Sequence, residues 1–123
     1  MQNAINWFEI PAADFNRAVT FYNAIFDTEL KQMDFQGMPH AMFPFNEMEG
    51  VGGAIVAGSE LKPSIGGVRV YLNGGDDLGP ILERVSAAGG TVAQPKTLLN
   101  EQIGYAGAFV DTEGNHVGLH SRK

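Results

Sequence analysis

The sequence has no cysteine. That absence excludes disulfide staples, thiolate metal sites and a cysteine nucleophile together. Positive charge is also scarce: 8 Lys and Arg stand against 14 Asp and Glu, a formal net charge of −6. Such a balance argues against nucleic acid and anionic membranes, whose phosphates select a basic face. No apolar run approaches the ~18 residues of a membrane span. The opening residues 1–7 lack the basic stretch and apolar core of a signal peptide. The expectation is a cytoplasmic protein with no nucleic-acid partner and no membrane partner. Glycine, by contrast, is plentiful, with 16 in 123 residues, roughly twice the usual share, and this favours tight turns and strands over long helices. A chain of this length forms one domain and hides roughly two-thirds of its unfolded surface without staples.

Two segments carry helical periodicity. The first opens at Asp14, a good N-cap, and puts Phe15, Ala18, Val19, Tyr22, Ile25 and Phe26 on one face. The second opens at Asp77, tolerates Pro80 in its first turn, aligns Leu78, Ile81, Leu82, Val85 and Ala88, and stops at Gly89-Gly90. One constant offset of 63 positions superposes the two stripes, Phe15 on Leu78 and Tyr22 on Val85. The chain contains a repeat.

Ahead of each helix, Trp7–Ile10 and Arg69–Leu72 alternate like half-buried strands. After the first helix come Thr28–Phe35, a turn at 36–39, His40–Phe45 and Gly52–Ala57. After the second come Thr91–Gln94, Ala106–Asp111, a turn at 112–115 and His116–Ser121. The fold class is therefore α+β: one domain, 1–123, made of two tandem βαβββ modules over about 1–57 and 67–123, joined by a linker over 58–66. Neither module buries both its helix face and its sheet face alone. The two are expected to share one curved mixed sheet with the helices on its convex side.

The stretch from Trp7 to Tyr22, ending Phe21-Tyr22, looks like the first strand and helix of the vicinal oxygen chelate superfamily. The stretch Phe109-Val110-Asp111-Thr112-Glu113-Gly114-Asn115-His116-Val117-Gly118-Leu119 looks like its closing Asp-Pro-Asp-Gly-Asn hairpin, with Tyr71-Leu72-Asn73 and Ala87–Gly90 fitting between. The chain thus resembles glyoxalase I, extradiol dioxygenases and bleomycin-resistance proteins over nearly its whole length. In the enzymes of that family each module supplies two metal ligands, usually His or Gln and Glu, from inward-facing strand positions. The resemblance carries those positions onto Trp7, Arg69, Gly118 and the apolar Gly53-Ala54-Ile55. A divalent ion needs three or four converging imidazole or carboxylate groups, so no metal and no cofactor is expected.

Strand alternation sorts the remaining side chains. It sends Phe8 and Ile10, Val68, Val70 and Leu72, and Val117 and Leu119 toward the helices. It leaves Trp7, Glu9, Arg69, Tyr71, His116 and His120 on the concave side as candidate ligand-binding residues, with Gly118 leaving room at the floor. The alternative is a Glu9–Arg69 ion pair that ties the modules together, with Trp7 and Tyr71 as filling. His116 and His120 share a strand face, but four residues span about 13 Å, too far for one ion, and they read as ordinary polar histidines. His40, after its turn, reads as a surface or rim residue. Phe35, Met38, Met42, Phe43 and Phe45 read as core and pocket lining, or else as a loop closing over an apolar ligand. Gly50–Ile55 fails as a dinucleotide loop because Ile55 occupies the third glycine position.

The expected function is small-molecule binding by a glyoxalase/bleomycin-resistance-like protein with a degenerate metal site. The ligand is expected to be neutral or cationic, given the net charge, and the protein a homodimer. The alternatives are a metal-dependent lyase or dioxygenase-type enzyme of the same superfamily, or a metal-free enzyme using Glu9 or a His as base. A third class is a purely structural or regulatory partner.

Overall fold

A computed structural model describes residues 3–58 and 61–123. Ser59 and Glu60 of the expected linker lie outside the described residues. The elements in chain order are β1 (Trp7–Pro11), α1 (Phe15–Phe26), β2 (Lys31–Phe35), β3 (Met38–Met42) and β4 (Gly52–Val56). They are followed by β5 (Tyr71–Asn73), α2 (Gly79–Val85), β6 (Thr91–Asn100), β7 (Gly104–Val110) and β8 (His116–Ser121). The repeat is a structural repeat. Each half forms a four-stranded mixed sheet of the same topology, β1-β4-β3-β2 and β5-β8-β7-β6, in which the first strand runs parallel to the last.

The expected single curved sheet is divided into these two halves. Among the described residues no ladder joins them, and the edge strands β1 and β5 flank a cleft instead. The reason is α1. Its Tyr22 packs on Phe43 of the first half at 5.5 Å and on Phe109 of β7 at 6.0 Å, and Phe21 also reaches Phe109 at 5.7 Å. A helix wedged between two sheets holds them about one layer apart. It is also buried on a wider arc than one amphipathic stripe allows. Phe21, outside the predicted stripe, is 1% exposed.

Local chemistry explains most of the boundaries. Asp14 caps α1, its side chain accepting from the Arg17 N–H at 3.1 Å. The turn expected at 36–39 is the tighter pair Gln36-Gly37, both at positive φ, with Met38 and Pro39 already in β3. The second helix is shorter than its stripe. Leu78, not Asp77, is its N-cap, and α2 ends at Val85. Asp77 accepts from the Gly79 N–H at 2.8 Å in the preceding turn. Val68, expected to face the helices, is 95% exposed. It follows Gly66-Gly67 and precedes β5, so no ladder imposes alternation there. Val70 packs against the core and Leu72 is buried, as expected.

One polar network crosses this apolar core. Asp111, buried, accepts from Tyr22 Oη at 2.8 Å, from Asn115 Nδ2 at 3.0 Å, and from the Glu113 and Asn115 backbone N–H groups, both at 2.9 Å. Asn115 Nδ2 also donates to the Pro11 carbonyl at 2.7 Å. Beside it Glu113 receives Arg17 Nε at 2.7 Å, the Asp14 N–H at 2.7 Å and Thr112 Oγ1 at 3.0 Å. Burial pushes the Glu113 carboxyl up, but these donors and the Arg17 charge outweigh it and hold it below the usual carboxylate range.

Burial, with the neighbouring Asp111 charge and hydrogen bond, drives the Tyr22 hydroxyl well above the ordinary tyrosine value. Because the folded value lies above the unfolded one, this hydroxyl contributes fully below about pH 10. The contribution is lost as pH climbs through the folded value. Tyr22→Phe should therefore cost about 1–3 kcal/mol in urea denaturation at neutral pH, the range for orphaning a buried partner. The gap to wild type should narrow above pH 10. An unchanged midpoint at neutral pH would show that Asp111 does not depend on this bond.

Candidate functional site

A large hollow lies in the cleft between the edges of β1 and β5. Its broad chamber, about 960 Å³, is lined by Phe8, Phe26, Phe43, Val70, Tyr71 and Leu72, with Arg69, Asn73 and Asp27 as polar groups. Each wall has a local origin. Phe8 faces the helix side of β1 and stacks at 5.6 Å on Phe43, just past β3. Phe26 reaches the same ring at 6.0 Å from the last position of α1. A narrower end of about 240 Å³ continues past Val68 and Val70 to Glu9, Lys62 and His116.

Four of the six candidate residues line this cleft. Arg69 and Tyr71 belong to the broad chamber, and Glu9 and His116 to the narrow end. Trp7 and His120 line neither part. Trp7 stands on the face of the first sheet away from the helices, 38% exposed, its ring 6.2 Å from Phe45. His120 donates Nε2–H to the Ile103 carbonyl at 2.6 Å on the second sheet. The space expected above Gly118 is taken by Tyr71, since a Cβ there would meet the ring at 2.5 Å.

Glu9 and Arg69 do not pair. Arg69 donates to His116 Nδ1 at 3.1 Å. Because guanidinium has no acceptor, that ring nitrogen carries no proton. Glu9 instead accepts Trp7 Nε1–H at 3.3 Å and lies 3.5 Å from His40 Nε2. His40 is the residue the sequence misjudged. It is buried rather than at the surface, under the Phe35 ring at 5.1 Å, and donates Nδ1–H to the Met38 carbonyl at 3.0 Å. No spacing signal pointed to it, since only the β3–β4 pairing turns its ring toward β1. A carboxylate beside an imidazole can hold a cation or exchange a proton. Of the Phe35–Phe45 aromatics and methionines, Phe43 alone packs against the described core, while Phe35 and Phe45 remain exposed on the far side.

The donor set does not fit a divalent metal. Trp7, Arg69 and Gly118 offer no ligating atom, and His116 is occupied by Arg69. Among the described residues no three His, Asp or Glu side chains converge as an ion would require.

This fold, with its paired modules and central cleft, defines the class. The chain belongs to the Glyoxalase/Bleomycin resistance protein/Dioxygenase superfamily, whose family model matches residues 4–119. Among solved structures it is similar to a glyoxalase/bleomycin resistance protein from Albidiferax ferrireducens T118, at 14% identity and TM-score 0.74, covering 98% of this chain and 100% of that one. It is also similar to UcmS2, at 21% identity and TM-score 0.67 over 98% of both chains. Glyoxalase I from Zea mays matches at 18% identity and TM-score 0.69, covering 96% of this chain and 44% of that one. At these identities the likeness concerns the fold. A comparison of the sequence with curated proteins finds no match.

Trp7 is surface-facing rather than core. Trp7→Ala should therefore cost under about 2 kcal/mol in urea denaturation, short of the 3–5 kcal/mol of a buried aromatic truncation. A loss in the higher range would make Trp7 part of the core.

Proposed function

We propose that this protein binds a small, mainly apolar molecule, neutral or cationic, in the cleft between β1 and β5, at a site whose family metal positions are degenerate. One observation carries the reading: a chamber of about 960 Å³ walled by Phe8, Phe26, Phe43, Val70 and Leu72, with a few polar groups at its rim. Aromatic and aliphatic walls with sparse convergent polar groups suit a drug-sized ligand. Trp7, Arg69 and Gly118 at the metal positions favour binding over metal-assisted turnover. The net charge of −6 favours cations and neutral molecules over anions.

The neutral fluorescent dye prodan tests the cleft. It should bind saturably with blue-shifted emission. Val70 and Thr28 both line the chamber, and Val70→Trp and Thr28→Trp should each weaken binding at least tenfold. Undiminished binding by both folded variants would reject this site. We infer in addition a homodimer, supported by apolar side chains left exposed on the edge strands of the two sheets: Met33 and Phe35 on β2, Leu98 and Leu99 on β6. Light scattering should give twice 13.2 kDa at micromolar concentration. A monomer mass would reject it.

A further inference from the structure

The outer face of the first sheet carries a corner that the apolar cleft does not explain. Trp7 and Phe45 meet at 74° between ring planes, with centroids 6.2 Å apart. Phe45 is held there because it lies over Gly52, where a Cβ would sit 2.5 Å from its ring. Both rings remain more than a third exposed. The indole N–H donates to Glu9 Oε2 at 3.3 Å, which sets the carboxylate at the edge of the ring. Among the described residues no lysine or arginine pairs with Glu9, and its hydrogen bond and its imidazole contact both fall on Oε2.

We propose that Trp7, Phe45 and Glu9 bind a quaternary alkylammonium group. Two aromatic faces at an angle with a carboxylate beside them attract a cation through the ring quadrupoles and through charge. The hydrogen-bonding inventory selects the kind of cation. A primary ammonium brings three N–H donors, while the acceptors at this corner are the Glu9 carboxylate and, when its ring is neutral, the largely buried His40 Nε2. Any donor turned against the ring faces loses its water without gaining a partner. A trimethylammonium group has none to satisfy, and its polarised methyls rest on the rings. A neutral group of the same shape would cover the Glu9 carboxylate without compensating it. An anion would meet that carboxylate directly.

No lysine or arginine is paired with Glu9 among the described residues: Lys62 shares the narrow end with it but makes no ion pair to it, and Arg69 is turned to His116. Lys31 faces the same side but lies on β2, opposite Met42, which is paired in turn with Ala54 and so with Glu9. Three strand spacings make that roughly 14 Å, beyond the screening length of about 8 Å at physiological salt. His40 Nε2 offers Glu9 a proton only when the ring is charged, because its Nδ1–H is committed to the Met38 carbonyl. Glu9 also lines the narrow end of the cleft. The inference therefore deepens the small-molecule reading by naming the charged end of its ligand.

Trp7 is the only tryptophan in the chain and reports on the corner directly. The probes are choline and its uncharged isostere 3,3-dimethylbutan-1-ol, titrated at constant ionic strength while Trp7 emission is followed. Choline should change the emission saturably, and the isostere should bind at least tenfold more weakly. Glu9→Gln should weaken choline at least tenfold and leave the isostere no weaker, since the charge that it covers is gone. Phe45→Leu should weaken choline severalfold. Equal responses to the two probes, a linear response to choline, or full choline affinity in folded Glu9→Gln would each overturn the proposal. Neither probe has a tail that fills the cleft. Failure here with saturable prodan binding therefore removes the ammonium corner alone, and loss of prodan binding removes the cleft.

Discussion

The buried carboxylate of Asp111 is the constraint on which the arrangement of the two modules depends. Its oxygens receive four hydrogen bonds, from Tyr22, from the side chain and backbone of Asn115, and from the Glu113 N–H. Through Tyr22 it holds α1. Through Asn115 it holds the end of β1 at the Pro11 carbonyl and the segment before β5 at the Ser64 N–H. A buried charge is tolerable only when its acceptor sites are filled, and here the donors come from both modules. Parting the sheets would take the Tyr22 donor from that carboxylate and leave it only the donors of its own turn. Arg17 on Glu113 and Arg84, which donates to the Ile25 carbonyl at 2.8 Å, add further links between the halves.

The cleft follows from this arrangement. With α1 wedged between the sheets and the turn before β8 fastened to the end of β1, the edges of β1 and β5 are fixed beside each other without a ladder. The gap is lined by what each edge carries: aromatic rings from the first module, aliphatic side chains, Tyr71 and Arg69 from the second. Its narrow end is polar because Glu9 and His116 sit on the sides of β1 and β8 that turn away from the helices. An apolar chamber and a charged mouth are thus consequences of strand alternation at two neighbouring edges.

Much of this was legible in the sequence, because local rules govern it. The constant offset between the helical stripes revealed the repeat, Asp14 and the turn at 112–115 marked boundaries that the structure keeps, and the turn expected at 36–39 survives as the shorter Gln36-Gly37. What stayed hidden depends on partners distant in the chain. Phe21 falls outside a single-face stripe because α1 is covered from two sides. Val68 obeys no alternation because no strand pairs with it. His40 looks like a rim residue until β3 is known to lie between β2 and β4 with Phe35 over the ring. The candidate site was readable as a set of faces and not as a set of contacts. Alternation put Glu9 and Arg69 on comparable faces, but their partners, His40 and His116, are set by strand order within each sheet.

The central claim is that the space between β1 and β5 is a ligand site created by the way the modules are fastened. The most direct measurement is a ¹⁵N–¹H correlation spectrum recorded while prodan is titrated into the labelled protein. The account predicts fast- or intermediate-exchange shifts concentrated at Phe8, Thr28 and the amides of Val70–Asn73, with α2 and the outer strands β2 and β6 unmoved. Shifts confined to β2 and β6, with the cleft amides silent, would contradict it.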